Sequence, residues 1–337
     1  MKVYELHPHE GFASLVRAER PSPPVGPTDV RVRVRATSLN FRDLVVAKNA
    51  HERAADARAN VPLSDGAGEV VEVGSRVERW KRGDRVAASF FPTWVSGELD
   101  DRHHAAALGG SVDGMLAEEV VLDQSAWVRV PEGWSYEQAA TLPCAGVTAW
   151  NALFEAARVR PGDTVLVQGT GGVSVFALQL AKAAGARVIA TSSSEKKREV
   201  ARRLGADHVL DYTADPEWGA AAKRWTGGRG VDVVVEVGGP GTFDQSSTAL
   251  RYGGTMSLLG VLTGTKGAVD THRVFHRHLR VAGVYVGSVS MFEDLVRALE
   301  ASKVAPVVDR TFGFDDARAA YEHLASASHV GKVVVTL

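Results

Sequence analysis

The sequence predicts an α/β protein in which a β-rich domain is followed by a doubly wound domain with a parallel sheet. Three observations predict it. Val30, Val32 and Val34 alternate with arginines at the period of a half-buried strand. From residue 163 onward, short apolar runs alternate with helical patterns, which is typical of βαβ units. A glycine-rich turn at 169–174 separates the first of these runs from the first helical pattern.

The composition bounds the class of protein. With 337 residues, 45% hydrophobic and 23% charged, the chain is long enough for two ordinary packed domains. A formal net charge of -1 lacks the basic surplus that nucleic-acid binding requires, so we expect no nucleic-acid partner. Residues 1–8 lack the apolar core of a signal peptide, and no long apolar run is uninterrupted. We therefore expect a cytoplasmic protein without membrane contact.

The first third of the chain is expected to be β-rich. One strand is predicted at Asp29–Leu39, and valine-rich runs between residues 68 and 88, broken by turn residues, predict further antiparallel strands. Ala54 to Ala59 forms a short loop rich in alanine and arginine. The pattern changes near Pro131, and residues 136–157 are expected to be helical.

Six strands are predicted in the second domain, the number that completes a dinucleotide-binding fold. They are expected at 164–168, 187–191, 208–210, 231–237, 255–259 and 281–286. The first two helices are expected at 173–184 and 195–204, and each ends at a glycine. An amphipathic helix around 292–301 and a final strand at 332–337 are expected to return to the first domain.

The turn GTGGVS at 169–174 follows a predicted strand and opens a predicted helix, which is the context in which such a fingerprint is informative. The glycines allow the backbone to approach a pyrophosphate, whose charge is met by amides at the helix N-terminus. A plain glycine turn is the alternative, and the surrounding βαβαβ pattern disfavours it. Ser174 stands where a third glycine is usual. The residues expected to contact NAD(P)H here are Gly169, Thr170, Gly171, Gly172 and Val173.

The residues after the second strand of this domain indicate which nucleotide binds. NAD-preferring sites place Asp or Glu there, whereas this chain has serines at 192–194. The absence of a repulsive carboxylate, with Lys196, Lys197 and Arg198 close by, suits a ribose 2′-phosphate. We therefore expect NADP(H) to be favoured over NAD(H). The alternative is that these cations only solvate a helix face.

These residues resemble the medium-chain dehydrogenase/reductase superfamily, in its zinc-independent branch of quinone oxidoreductase-like and alcohol dehydrogenase-like proteins. The resemblance spans almost the whole chain. It rests on the segments Ser38–Asp43, Asp65–Val70, Leu142–Ala149, Gly169–Ser174 and Gly331–Val334. It implies a GroES-like catalytic domain at 1–126, to which 287–337 returns, and a Rossmann domain at 127–286. A homodimer is also implied.

The resemblance bears on the metal content. Zinc-dependent members carry a cysteine in the segment that matches Ser38–Asp43 and a Gly-His-Glu run where this chain has Ser64-Asp65-Gly66. Both ligands are missing here, and so is a loop with four cysteines, because Cys144 is the single cysteine. We therefore expect no zinc and no polarisation of a substrate oxygen by a metal.

The resemblance also implies the site residues. Asn40 and Asp43 would border the nicotinamide and the substrate, and Thr148 would contact the carboxamide side of the cofactor. Further contacts with the cofactor are implied for Ser192, Ser193, Lys197 and Tyr212 around the 2′-phosphate, for Gly238, Gly260, Val261 and Leu262 along the ribose and nicotinamide, and for Lys332 closing the cofactor from the tail.

Each of the three catalytic candidates has a purely structural alternative. Asn40 could cap a turn, Asp43 could pair with Arg42, and Thr148 could bond its own helix backbone. Phe41 stands where many relatives have tyrosine, which removes a candidate proton donor.

The expected function is NADPH-dependent reduction of a quinone or an enone C=C, because hydride addition to an electron-poor carbon needs orientation more than a metal. Two alternatives stay open. One is a metal-free alcohol or ketone oxidoreductase, and the other is an NADPH-binding redox sensor or structural protein with little catalysis. Phe90, Phe91 and Trp94 are candidates either for an apolar wall around the small-molecule substrate or for packing.

Overall fold

The computed structural model describes residues 1–7, 11–48 and 59–337. Apart from Ala59, the Ala- and Arg-rich segment 54–59 lies outside the described residues. The chain forms two compact units: Met1–Val147 with Val286–Leu337, and Thr148–Tyr285. Within the described ranges, no helix has both the length and the apolar character that a membrane span requires.

The elements of both units follow in chain order. The strands are β1 Lys2–Leu6, β2 Leu15–Glu19, β3 Asp29–Leu39, β4 Asp65–Val73, β5 Arg85–Ala88, β6 Glu119–Asp123, β7 Trp127–Arg129, β8 Thr164–Gln168, β9 Arg187–Thr191, β10 His208–Leu210, β11 Val231–Glu236, β12 Leu250–Leu258, β13 Arg280–Gly283, β14 Val308–Gly313 and β15 Lys332–Thr336. The α-helices are α1 Phe41–Lys48, α2 Asp101–His104, α3 Tyr136–Ala139, α4 Val147–Trp150, α5 Gly172–Ala183, α6 Glu195–Arg203, α7 Trp218–Trp225, α8 Pro240–Ala249, α9 Thr271–His276, α10 Val289–Ser302 and α11 Ala317–Ala325.

The first unit is built on a seven-stranded sheet. Its strand order is β14-β15-β3-β4-β5-β7, with β6 also paired to β3. The long strand β3 has the predicted alternation, because the valines at 30, 32 and 34 are buried in the core of this unit. The arginines on its other face pair across strands: Arg31 contacts Glu72 at 2.8 Å, and Arg35 contacts Glu69 at 3.1 Å.

The tail returns to this sheet as predicted. Strand β15 pairs antiparallel with β3, and Val333 lies opposite Leu39. This register brings the start of β15 to the end of β3, although the two segments are far apart in sequence. Helix α11 packs in the same core through the fully buried ring of Tyr321.

The second unit contains a six-stranded parallel sheet in the order β10-β9-β8-β11-β12-β13. This is the strand order of a Rossmann fold. The strands predicted at 164–168, 187–191 and 208–210 have those bounds. Strand β12 begins earlier than predicted because its pairing with β11 continues through a register shift, next to Gly253 with φ +67°. A β-bulge interrupts the alternation of side chains between the two faces of a strand, so this alternation does not reveal that the strand continues past the bulge.

The first unit extends beyond the expected boundary at residue 126 and includes α3. The hydroxyl of Ser38 on β3 lies 2.9 Å from the carbonyl oxygen of Ala140, which follows α3. The segment predicted as helical, 136–157, is helical but irregular, because π-helical turns occur at Leu142–Gly146 and Asn151–Ala156. Such turns are rare in proteins overall, but those that occur often lie at functional sites. Thr148 is buried in α4, between the two.

Candidate active site and cofactor-binding turn

The glycine-rich turn connects β8 to α5, as the sequence predicts. Gly169 has φ +71°, a left-handed conformation that favours glycine, and a Cβ on Gly169 or Gly171 would meet nothing within 4 Å. Gly171 caps α5 without any side-chain hydrogen bond, so the first amides of this helix lack a side-chain acceptor. The buried hydroxyl of Thr170 has no hydrogen-bond partner. These free donors fit a pyrophosphate.

Ser174 replaces the usual third glycine without disturbing this turn. Its side chain is 3% exposed, and its hydroxyl donates to the carbonyl of Gln168 at 2.7 Å. The hydrogen bond ties α5 to the end of β8. The serine therefore stabilises the approach of helix and strand that a glycine would otherwise permit.

A buried carboxylate, which the sequence analysis missed, holds the loop after β11. Glu236 is fully buried; its Oε1 accepts hydrogen bonds from the amides of Gly238 and Gly239 at 2.7 and 2.9 Å. Its Oε2 accepts one from Nε2 of Gln168 at 2.7 Å. The remaining donors to Glu236 are the hydroxyls of Thr242 and Ser246. An acidic residue at the end of the apolar run VDVVVE was the signal in the sequence.

The loop after β12 packs against this clamped loop. A Cβ on Gly260 would lie 2.1 Å from the carbonyl oxygen of Val237, so only glycine permits this approach. The amide of Leu262 donates to the same carbonyl at 3.3 Å. The side chains of Val261 and Leu262 are 41% and 54% exposed. The structure thus brings together the loops that carry Gly238, Gly260, Val261 and Leu262.

The residues expected around a 2′-phosphate lie where β9 and β10 end. The hydroxyl of Tyr212 donates to Oγ of Ser193 at 3.3 Å. Lys197 lies in the first turn of α6, which the Ser194 hydroxyl caps. Ser192 is buried, and its amide donates to the carbonyl of Leu210 at 2.9 Å.

Arg198 is engaged elsewhere. Its guanidinium contacts Asp211 at 2.7 Å and Glu195 at 2.6 Å, and donates to the carbonyl of Ser192 at 2.7 Å. Because Arg198 is paired with these two carboxylates, it is not available to contact a phosphate as the sequence led us to expect.

A buried polar cluster surrounds Asn40 in the first unit, where β3 ends and β15 begins. Lys332 is 2% exposed, and its Nζ donates to the carbonyl of Leu39 at 2.8 Å, to Oδ2 of Asp65 at 3.3 Å and to Oδ1 of Asn40. An ammonium has three donors, and these acceptors engage all three. Lys332 was expected to contact the cofactor, but this geometry leaves none of its donors over for one.

The carboxamide of Asn40 is only half satisfied. Its Oδ1 faces Lys332, whereas its Nδ2 is buried and has no hydrogen-bond partner. An unpaired buried donor is costly, by about 1–3 kcal/mol. The missing acceptor can be supplied by a bound molecule.

Asp43 closes the turn that begins at Asn40. Its carboxyl is 1% exposed and accepts the Asn40 amide at 2.7 Å, whereas the guanidinium of Arg42 lies 3.5 Å away. Burial raises the pKa of Asp43 from 3.8 to about 6, against the opposing charge of Arg42. The side chain therefore changes charge close to neutral pH.

The stability of the protein should depend on this titration. Because the pKa of Asp43 is higher in the folded state, the carboxyl contributes stability below pH 4 that is lost as the pH rises through 6. The loss amounts to about 3 kcal/mol. The free energy of unfolding of Asp43→Asn minus that of the wild type should therefore rise by about this amount between pH 4 and pH 7. Urea unfolding at each pH measures both values. A difference independent of pH would contradict the buried titration.

The three aromatic residues that were candidates either for a substrate wall or for packing are buried in the first unit. Phe90 and Phe91 are 1% and 0% exposed. Their rings pack edge to face, with 4.6 Å between the ring centres. The guanidinium of Arg42 lies 4.6 Å from the ring centre of Phe90. Trp94 is 5% exposed, with its indole nitrogen donating to the carbonyl of Gly97 at 2.9 Å. All three side chains are satisfied within the protein.

Comparison with known proteins agrees with both units. Residues 26–132 match the alcohol dehydrogenase GroES-like domain, and residues 172–301 match the zinc-binding dehydrogenase family. A zinc-type alcohol dehydrogenase-like protein of Schizosaccharomyces pombe is 42% identical over 99% of each chain. The chain belongs to the medium-chain dehydrogenase/reductase superfamily. It is accordingly an NAD(P)H-dependent oxidoreductase. Related enzymes of the superfamily act on small molecules.

Two solved structures show how closely the superfamily fold is kept. A putative alcohol dehydrogenase from Sinorhizobium meliloti superposes with a TM-score of 0.91 at 39% identity, over 100% of this chain and 99% of that one. The 2-octenoyl-CoA carboxylase reductase CinF, in complex with NADP and 2-octenoyl-CoA, superposes with a TM-score of 0.86 at 26% identity, over 99% and 87%. The α/β architecture with GroES-like and Rossmann domains is therefore confirmed.

The names of the matched dehydrogenase family and of the Schizosaccharomyces pombe relative include zinc. In the part of the chain that the structure describes, no group of three His, Cys, Asp or Glu side chains is arranged to hold a metal ion. Near Asn40, the carboxylate of Asp65 is already paired with the ammonium of Lys332. The thiol of Cys144, the single cysteine of the chain, has a pKa that burial raises to about 12.

Proposed function

We propose that this oxidoreductase is a zinc-free, NADPH-dependent reductase of a quinone or an enone C=C. The observation that carries the proposal is the buried, unpartnered Nδ2 of Asn40, beside an ammonium group where metal-dependent relatives would need ligands. A fixed N–H donor in a water-poor environment stabilises negative charge that develops on a substrate oxygen. Such a negative charge develops on the oxygen when hydride adds to the β-carbon of an enone or to a quinone.

In this proposal, each residue has a defined task. Bound NADPH supplies the hydride. Gly169 to Val173 would hold the pyrophosphate with backbone amides, and Thr148 would contact the carboxamide of the cofactor. Asn40 would donate to the substrate oxygen, and Asp43 would hold the Asn40 turn in place. Solvent would supply the proton to the second carbon.

The preference for NADPH rests on the ends of β9 and β10. Ser193 and Tyr212 share a hydrogen bond at the position where NAD-preferring sites place a carboxylate. Lys197 follows in the first turn of α6. A related reductase was solved with NADP, which supports the same preference.

Lys197→Ala should weaken NADPH binding by about 10- to 100-fold, because a charge-assisted contact with the 2′-phosphate is lost. Affinity for NADH should stay within about twofold, since NADH has no such group. Both dissociation constants can be measured by fluorescence titration. Lys196→Ala is the matched control, because Lys196 is an exposed neighbour on the same helix. Equal losses for both nucleotides, or for both variants, would contradict a 2′-phosphate site at Lys197.

We also propose a homodimer. Strand β13 is the last strand of the six-stranded sheet, and no strand among the described residues pairs with its outer edge. Val281 on this strand and Tyr285 beyond it are 39% and 43% exposed. Open edges with apolar side chains pair readily with a second chain. Light scattering should give twice the 35.9 kDa mass of one chain.

The expected cytoplasmic location of the protein stays a prediction.

The proposed function is tested by assaying NADPH oxidation with a panel of quinones, enones, aldehydes and ketones, together with the metal content of the protein. Reduction of quinones or enones by metal-free protein supports it. Turnover only with ketones and aldehydes would favour a metal-free alcohol or ketone oxidoreductase. Tight NADPH binding without turnover would favour a redox sensor. Activity that chelators abolish and zinc restores would contradict it.

A further inference from the structure

Lys332 has surroundings unlike those of a surface lysine. Its side chain is 2% exposed, and its partner Asp65 is fully buried. Asp65 is itself held, because Oγ of Ser64 donates to Oδ1 at 2.8 Å and Oγ of Ser38 lies 3.1 Å from Oδ2. A buried ion pair is weak evidence for stability alone and is more informative as a device that fixes a neighbouring group.

That neighbouring group is the carboxamide of Asn40. The carbonyl of Leu39 and the carboxylate of Asp65 fix Nζ of Lys332, and the third donor of Nζ meets Asn40. Only an oxygen can face an ammonium, because an amide NH2 would set donor against donor. The Asn40 side chain therefore cannot flip, and the direction of Nδ2 is set by a residue 292 positions away in the sequence.

We propose that Lys332 is a positioning residue that holds Asn40 by Oδ1 and so presents Nδ2 as the hydrogen-bond donor to the substrate oxygen. The identity of that acceptor rests on the proposed function. The ammonium also draws electron density from the carboxamide, and hydrogen bonds in series strengthen one another. Lys332 acts through Asn40 and contacts neither the substrate nor the cofactor.

A double-mutant cycle tests this role. Lys332→Met removes the three donors and keeps an apolar stem, and kcat should fall about 10- to 100-fold with the NADPH dissociation constant unchanged. In the Asn40→Ala background, the same change should lower kcat no further, because the group that Lys332 orients is gone. Lys332→Arg should recover part of the rate. If Lys332→Met and Asn40→Ala each lower kcat by the same factor with or without the other substitution, the proposal is overturned. A weakened affinity of Lys332→Met for NADPH would also overturn it.

Lys332→Met leaves the Asp65 carboxylate buried without its partner, which can prevent folding. The companion variant Lys332→Met/Asp65→Asn carries neither charge and avoids this cost. It should fold and show the same fall in kcat as Lys332→Met. A companion variant that folds and turns over at the wild-type rate would overturn the proposal.

A second readout needs no substrate. The chain has only four asparagines, Asn40, Asn49, Asn60 and Asn151, so selective 15N labelling of their side-chain amides gives four resonance pairs in NMR spectra. The pair that Asn40→Ala removes belongs to Asn40. In the wild type its two protons should be distinct and slow to exchange with each other, and in the companion variant they should shift and broaden. An Asn40 pair that is the same in both proteins would overturn the positioning role. If the wild type reduces no compound, the proposed function alone fails.

Discussion

Asn40→Ala is expected to lower kcat about a hundredfold while the NADPH dissociation constant stays within about twofold. The substitution removes the Nδ2 donor that has no partner inside the protein. Loss of one donor to a developing oxyanion lowers kcat by about 10²–10³ in other enzymes. Stopped-flow measurement of NADPH oxidation with the best substrate of the panel gives the rate of this step.

Asn60→Ala is the matched control, because Asn60 is also buried in the first unit but has no contact with the Lys332 ammonium. Its kcat should stay near that of the wild type. A rate for Asn40→Ala within threefold of the wild type, with the protein folded, would show that Nδ2 does not stabilise the transition state.

Glu236→Ala is expected to reduce the free energy of unfolding by about 3–5 kcal/mol, since it leaves several buried donors without an acceptor. The amides of Gly238 and Gly239 and the side chain of Gln168 all donate to this carboxylate. The loop after β11 would lose its connection to β8, so NADPH affinity should fall as well. Urea unfolding followed by circular dichroism measures the change in stability.

Two further variants delimit this effect. Glu300→Ala removes an exposed carboxylate on α10 and should change stability by no more than about 0.5 kcal/mol. Glu236→Gln keeps one acceptor oxygen and should fall between the wild type and Glu236→Ala. A loss below about 1 kcal/mol for Glu236→Ala would show that water or neighbouring groups can replace the carboxylate.

Local patterns were enough to predict the nucleotide-binding fold. The strands at 164–168, 187–191 and 208–210 and the turn before α5 follow from short apolar runs and from glycines at helix ends, which are neighbours in sequence. Strand β12 was predicted too short because its register shifts at Gly253, and the irregular helix at 136–157 was predicted without its π turns. These departures depend on pairing and packing that a single segment does not encode.

The polar networks could not be predicted for a related reason. Gln168 and Glu236 are 68 residues apart, and Lys332 meets Asp65 across 267 residues. The resemblance pointed to Lys332 as a site residue, but only the pairing of β15 with β3 shows which atoms it contacts. Arg198 is likewise drawn into ion pairs with Glu195 and Asp211, which the run of basic residues does not reveal.

Transfer of deuterium from NADPH labelled at C4 of the nicotinamide tests the central claim most directly. The chelator-treated protein should be given the labelled cofactor and an enone, and the product examined by NMR and mass spectrometry. We predict one deuterium at the β-carbon of a saturated ketone. Deuterium at the former carbonyl carbon, or an enone and a quinone that both stay intact after prolonged incubation, would contradict the proposed zinc-free reductase.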